Sequence, residues 1–261
     1  MPAVRKMPAV RNKDMAAEDL IREGERLDDL ERSGLKIIQD PARFCFGMDA
    51  VLLSGWAKVR SGETVLDIGT GTGIIPILLT AKTEGRHFTG LEIQKEMADM
   101  AARSVAYNHL EDRVEIRQGD IREAAQMWEP QHFQVITCNP PYMKVSHGIK
   151  NPDSALAIAR HELTCTLEDA VREGARLLVS KGRYYMVHRP HRLMDILTVM
   201  RAYRLEPKRI RFVHPFADAE ANMVLIEAVK DGGIYLHAEA PLVIYEEPGR
   251  YTRELLDLYG Y

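Results

Sequence analysis

From Thr64 onward, apolar runs alternate with segments of helical character. Val65-Leu66-Asp67-Ile68, Phe88-Thr89-Gly90-Leu91-Glu92-Ile93, Val114 to Ile121 and Phe133 to Cys138 read as strands. Their apolar character is that of strands covered on both faces. Ile74-Ile75-Pro76-Ile77-Leu78-Leu79 reads as the start of a helix, with Pro76 in the first turn, where a missing N–H costs nothing. Leu167 to Leu178 is a predicted helix, Gly182 to His188 a fifth strand and His191 to Tyr203 a further helix. This alternation is the signature of an α/β fold with a parallel sheet and right-handed crossovers. Arg209 to Val213 and Met223 to Val229 follow with only Pro215 to Asn222 between them, so they are expected to pair antiparallel. Ile234 to Glu246 reads as an extra hairpin and Thr252 to Tyr259 as a terminal helical turn.

Ahead of Thr64 the pattern is weaker. Ala16 to Arg32 reads as an amphipathic helix, with Leu20, Leu27 and Leu30 set among charges. Leu35 to Gln39 reads as a short strand with Phe44 to Phe46 as its partner, and Asp49 as the N-cap of a helix over Ala50 to Val59. Met1-Pro-Ala-Val-Arg5 recurs as Met7-Pro-Ala-Val-Arg11, too short for a structural repeat and consistent with a duplicated or misassigned start. The expected organisation is a disordered stretch over 1–14, a helix/strand extension over 15–60, a main domain over 61–230 and a C-terminal extension over 231–261.

The strand ends carry the candidate chemistry. Asp67-Ile68-Gly69-Thr70-Gly71-Thr72-Gly73 joins a strand to a helix, and its glycines permit a tight turn and close approach of backbone to a ligand. The dinucleotide fingerprint G-x-G-x-x-G fails, because the sixth position is Ile74 counting from Gly69 and Pro76 counting from Gly71. No Gly-Lys-Ser or Gly-Lys-Thr follows, so the phosphate loop fails too. Glu92 ends the second strand, a position suited to accepting from two ribose hydroxyls. Asp120 ends the third and is able to accept from an adenine amino group. Asn139-Pro140-Pro141-Tyr142 ends the fourth. It combines an amide side chain, two prolines that fix the backbone and offer carbonyls but no N–H, and a ring able to stack on a flat group. In an open α/β sheet all these ends share one edge, where ligands bind.

Asp67 to Gly73, Glu92, Asp120 and Asn139 to Tyr142 resemble motifs I to IV of class I S-adenosylmethionine-dependent methyltransferases. The tetrapeptide is similar to that of amino methyltransferases acting on adenine N6 or on glutamine N5 of release factors. Over roughly residues 30 to 250 the chain resembles the bacterial tRNA adenine-N6 methyltransferases that modify the adenine 3′ of the anticodon in valine tRNA. Phe44 to Leu53 and Ala159-Arg160-His161-Glu162 support that narrower resemblance. It implies a seven-stranded sheet ordered 3-2-1-4-5-7-6 with strand 7 reversed, and S-adenosylmethionine as cofactor. The cofactor contacts it implies are Phe46, Asp49, Asp67, Gly69, Thr70, Gly71, Thr72, Gly73, Glu92, Ile93, Asp120, Ile121 and Asn139, with Phe44 helping to close the pocket. Asn139, Pro140, Pro141 and Tyr142 are the implied catalytic residues.

Composition alters this picture little. The chain has 261 residues, 46% hydrophobic and 28% charged, enough for one sizeable core. No apolar run approaches ~18 residues, and the N-terminus carries no apolar signal segment, so a cytoplasmic protein with no membrane partner is expected. Cys45, Cys138 and Cys165 lack C-x-x-C spacing, which fits a reducing compartment and no metal site. Net charge is −3, against a nucleic-acid partner at first sight. Yet residues 181–211 hold nine Lys and Arg against two acids, a local surplus of seven. Arg189, Arg209 and Arg211 in that stretch, with Lys144, Arg160 and His161 beyond the tetrapeptide, are candidates to bind a tRNA substrate.

The expected chemistry needs no strong base. An adenine amino nitrogen is a poor nucleophile because its lone pair is delocalised into the ring. Hydrogen bonds from the amino group to Asn139 Oδ1 and the Pro140 carbonyl would draw the nitrogen toward sp³ character, with Tyr142 stacked on an unstacked base. Most of the acceleration is then positioning. Other readings stay open: a protein-glutamine methyltransferase, an rRNA or DNA adenine methyltransferase, and a non-catalytic RNA-binding protein. Against the first, only about 60 residues precede the glycine loop, with no long helical substrate domain among them.

Overall fold

The computed structural model describes residues 17–43, 45–140 and 165–259. The predicted Ala16 to Arg32 helix is not formed. Ala17–Leu20 makes one 3-10 turn, and β1 (Arg26–Asp29) pairs antiparallel with β2 (Lys36–Gln39). Gly24 lies at φ 84° and Gly34 at φ 70°, so both break a helix and the second tightens the hairpin. The outer edge of β2 docks on side chains of α3 (Lys95–Tyr107). Lys36 N donates to Asn108 Oδ1 at 2.8 Å and Ile38 N to Ser104 Oγ at 3.0 Å. Buried Arg103 of α3 holds Glu25 and Asp99 and donates to the Leu20 carbonyl. These long-range contacts outweigh the leucine spacing. Phe46 is not a strand partner of β2. Its N–H donates to Gln39 Oε1 at 2.9 Å, and Phe44 lies outside the described residues.

α1 (Met48–Trp56) starts two residues earlier than expected and ends three earlier. Gly47 is its N-cap, and Asp49 sits in the first turn, accepting from Ala50 N at 2.9 Å. The central run then follows the predicted alternation: β3 (Thr64–Ile68), α2 (Ile74–Lys82), β4 (His87–Glu92), α3, β5 (Val114–Gln118) and β6 (Phe133–Cys138). After the undescribed residues come α4 (Leu167–Leu177), β7 (Leu178–His188), α5 (Leu193–Ala202), β8 (Leu205–His214) and β9 (Met223–Lys230). Thr166 caps α4 through a reciprocal capping box with Asp169.

The strand order β5-β4-β3-β6-β7-β9-β8 is 3-2-1-4-5-7-6 in the expected numbering, with β9 antiparallel to both neighbours. Alternate residues of each strand feed two cores. Val65, Val135 and Tyr185 pack under α1, α2 and α3, and Leu66, Ile136 and Tyr184 pack under α4 and α5. Both cores are continuous with the sheet, so the strand ends are held rigidly.

The expected 234–246 hairpin is absent. β10 (His237–Ala238) and β11 (Leu242–Val243) each pair parallel with β8 and cover its otherwise open edge. The hairpin lies later, β12 (Tyr245–Glu247) with β13 (Arg250–Tyr251), turned by Gly249 at φ 82°. α6 (Arg253–Tyr259) then packs on α1. Among the described residues no helix is long and apolar enough to cross a membrane.

Candidate active site

Asp67 is the last residue but one of β3, which turns through the glycine loop into α2. Gly69 N and Thr70 N both donate to the Leu91 carbonyl, at 2.9 and 3.0 Å, which pins the loop over β4. This approach needs Gly90, where a Cβ would meet Thr70 Cγ2 at 2.8 Å. Gly69 has φ 71° and nothing within 4 Å of its missing Cβ, so the loop's outer side is open.

Around that opening the polar atoms divide into two kinds. Glu92 is oriented by the protein: its Oε2 accepts from Gly71 N and its Oε1 from Gln94 N, each at 2.9 Å. Each oxygen retains a lone pair for a further donor. Asp67 Oδ1 accepts from Thr137 Oγ1 at 2.6 Å, while Asp67 Oδ2, Thr70 Oγ1 and Thr72 Oγ1 are buried with no hydrogen-bond partner among the described residues. Burial pushes the Asp67 carboxyl up to about 7, against the pull of Thr137 and of the nearby Thr70 hydroxyl, and the Glu92 charge adds to the rise. Thr70 is thus close enough to favour the carboxylate without reaching hydrogen-bond geometry. Buried unsatisfied oxygens in a native fold need an explanation, and a bound ligand is one. The donor and acceptor set here fits a nucleoside with a cationic amino group: Glu92 for ribose hydroxyls and Asp67 Oδ2 for an ammonium.

Asp120 ends the β5 segment and caps the 3-10 turn Ile121–Gln126. Ile121 is buried and Ile93 half-buried, so both supply apolar wall near the carboxylates. Asn139 and Pro140 follow β6 directly and are half-buried, on the sheet edge shared with Asp67 and Glu92. Burial holds the adjacent Cys138 thiol well above its usual range, protonated and unreactive. Pro141, Tyr142, Lys144, Arg160 and His161 lie outside the described residues. Among the described residues no three His, Cys, Asp or Glu cluster as a metal site.

The structure does not bring every expected residue to this edge. Phe46 lines a cavity of about 100 Å³ with Val51, Leu78, Lys82 and Tyr259, against the second half of α2 and the end of α6. The basic stretch 181–211 is no free positive patch. Arg183 pairs with Glu63, Arg192 with Asp195, Arg201 with Glu206 and Arg204 with Asp231. Arg209 holds both Glu227 and Glu239 and stacks 4.4 Å from the Trp56 ring centre, and Arg211 holds Glu254. Arg189 does sit on the ligand edge, just past β7, and donates to the Asn222 carbonyl at 2.9 Å. Thr137 was not legible as a site residue. It faces Asp67 through the β3–β6 register, and only a polar residue inside an apolar strand hinted at it.

An open sheet ordered 3-2-1-4-5-7-6, with a glycine loop bordered by unpaired buried oxygens, is the donor half of a class I methyltransferase. The family model "Methyltransferase domain" matches residues 59–208, and the chain belongs to that family. It is 33% identical over 187 residues to a Porphyromonas gingivalis protein named tRNA1(Val) (adenine(37)-N6)-methyltransferase, covering 69% of this chain and 72% of that one. Among solved structures it resembles a predicted O-methyltransferase from Agrobacterium tumefaciens, with TM-score 0.66 and 23% identity over 81% of this chain and 95% of that one. A geranyl diphosphate C-methyltransferase from Streptomyces coelicolor A3(2), solved with Mg2+, geranyl diphosphate and S-adenosyl-L-homocysteine, follows at TM-score 0.53 and 16% identity over 70% of this chain and 78% of that one. At those identities the structural likeness is one of fold.

Proposed function

We propose that this protein transfers the methyl group of S-adenosylmethionine to the exocyclic N6 of an adenine in tRNA, next to the anticodon. The observation that carries this is the 33% identity across two thirds of both chains to a protein of that name. Asn139 and Pro140 at the end of β6, beside the glycine loop, support it.

When bound, S-adenosylmethionine supplies a sulfonium methyl whose positive charge disappears on transfer. Asp67 Oδ2 accepts from its ammonium and Glu92 from its ribose hydroxyls. Asn139 Oδ1 and the Pro140 carbonyl accept from the adenine amino group and draw its nitrogen toward sp³ character, which takes the lone pair out of conjugation with the ring. Tyr142, next but one after Pro140, supplies the ring on which the base stacks. No side chain needs to remove a proton before transfer, because the acceptor is a neutral amine: the N–CH3 bond forms as the S–CH3 bond breaks, S-adenosylhomocysteine leaves, and the methylated nitrogen then loses its extra proton to water. Catalysis is chiefly alignment of two held reactants. Arg189, past the end of β7, takes a phosphate of the RNA in this reading.

Radiolabelled S-adenosylmethionine offered separately with unmodified tRNA, ribosomal RNA, DNA and release factor tests the assignment. Label in tRNA that digests to N6-methyladenosine is the expected result. Label confined to protein glutamine, or to ribosomal RNA or DNA, would replace it with one of the sibling activities.

A further inference from the structure

Asp120, the carboxylate suited to an adenine amino group, is already engaged from within the chain. Its Oδ1 accepts from the Arg122 backbone N–H at 2.9 Å. The same carboxylate holds the Arg122 guanidinium, with Nε 2.8 Å from Oδ2 and 3.1 Å from Oδ1, and Nη2 also on Oδ2. Guanidinium N–H groups and an adenine amino group are the same kind of donor, planar and delocalised. The two cannot fill the same lone pairs together. The Asp120 side chain is 16% exposed and Arg122 44%, so the guanidinium has direct access to water when it leaves. Pairs this exposed are weak, which lets a ligand displace them.

We propose that Arg122 is an intramolecular competitor for the adenine-recognition carboxylate, displaced from Asp120 whenever the cofactor binds. The proposal rests on Asp120 as the adenine acceptor of the methyl donor. Arg122 sets the cofactor affinity below what Asp120 alone would give, and its return to Asp120 favours release of the demethylated cofactor. The competition acts on the adenosine end shared by S-adenosylmethionine and S-adenosylhomocysteine, so it affects both alike.

Calorimetric titration with S-adenosylhomocysteine tests this on the wild type, Arg122→Ala and Asp120→Asn. Arg122 is exposed and asparagine is itself a good N-cap, so both variants are expected to fold. Arg122→Ala should bind about two- to five-fold tighter, and Asp120→Asn more weakly than wild type. With S-inosylhomocysteine, whose 6-oxo group offers no amino donor, Arg122→Ala should bring no gain. Unchanged or weaker binding by Arg122→Ala, with Asp120→Asn still impaired, overturns the competition and leaves Asp120 as the acceptor. An equal gain with the inosine analogue also overturns it. If neither variant changes affinity, Asp120 is not the adenine acceptor, and the underlying assignment fails with the proposal.

Discussion

Around the glycine loop, three buried oxygens on Asp67, Thr70 and Thr72 have no partner among the described residues. Along β8, at the far side of the sheet, buried charge is instead met by charge of the opposite sign. Arg209 lies between Glu227 on β9 and Glu239 beyond β10, with Trp56 beneath it and Trp56 Nε1 donating to Glu239 Oε2 at 2.9 Å. Both regions are rich in polar side chains, and composition alone would rank the β8 edge as the better site. The difference is whether the protein itself supplies a counter-charge. Along β8 it does, and the carboxylates on Arg209 tie the C-terminal extension to the sheet, although Arg209 Nη2 is itself buried without a hydrogen-bond partner among the described residues. Around the glycine loop it does not, and an unpaired buried acceptor costs free energy that a bound ligand can offset.

Substitutions can break this comparison, beginning with the largest effect. Asn139→Ala should lower turnover by about 10²–10³-fold, the loss typical of removing one aligned hydrogen-bonding group at a reacting centre, while cofactor affinity stays near that of wild type. Near-normal turnover in a single-turnover assay would end the proposed role of Asn139. Arg209→Ala leaves two carboxylates facing each other and should destabilise the fold by about 3 kcal/mol in denaturant melts. Its effect on RNA binding, measured per folded molecule, should be small.

Asp67→Asn sharpens the contrast from the other side. Burial raises the folded Asp67 carboxyl from the ordinary 3.8 to about 7, so the folded state holds the proton longer than the unfolded chain. Its contribution to stability is fully present below about pH 4 and is lost as pH rises through about 7. The neutral variant escapes that loss. Relative to wild type it should gain on the order of 4 kcal/mol between pH 4 and 8, with weaker cofactor binding. A stability difference that is flat with pH would show that Asp67 has no raised pKa. The smallest effect is expected for Arg211→Ala, at most about 1 kcal/mol, since its partner Glu254 is half-exposed. A flattened salt dependence of tRNA binding in either arginine variant would return that residue to the RNA interface.

Much of this was legible along the chain. The strand and helix order from Thr64 to Lys230 follows from apolar periodicity, and the strand-end positions of Asp67, Glu92, Asp120 and Asn139 follow from it directly. The N-terminal segment was misread because Leu20, Leu27 and Leu30 fit a helical spacing, while the contacts that form the β1–β2 hairpin come from Ser104 and Asn108 far along the chain. The C-terminal segment was misread for a similar reason: the open edge of β8 recruits two short strands that have little strand character of their own. The pairing within the positive stretch 181–211 was not legible, because a local sum of charge ignores partners distant in sequence, such as Glu63 for Arg183 and Glu254 for Arg211.

By itself, the sequence determined the class of sheet and the edge on which a ligand binds. Both depend on period and on order along the chain, which survive without knowledge of tertiary contacts. The tertiary structure alone decided which polar groups remain available there. Thr137 meets Asp67 through strand register, Arg122 occupies Asp120, and Arg209 is enclosed by Glu227, Glu239 and Trp56. The physical reason is that a hydrogen bond or ion pair acts over a few ångströms in space, while its partners stand anywhere from two to 183 residues apart along the chain.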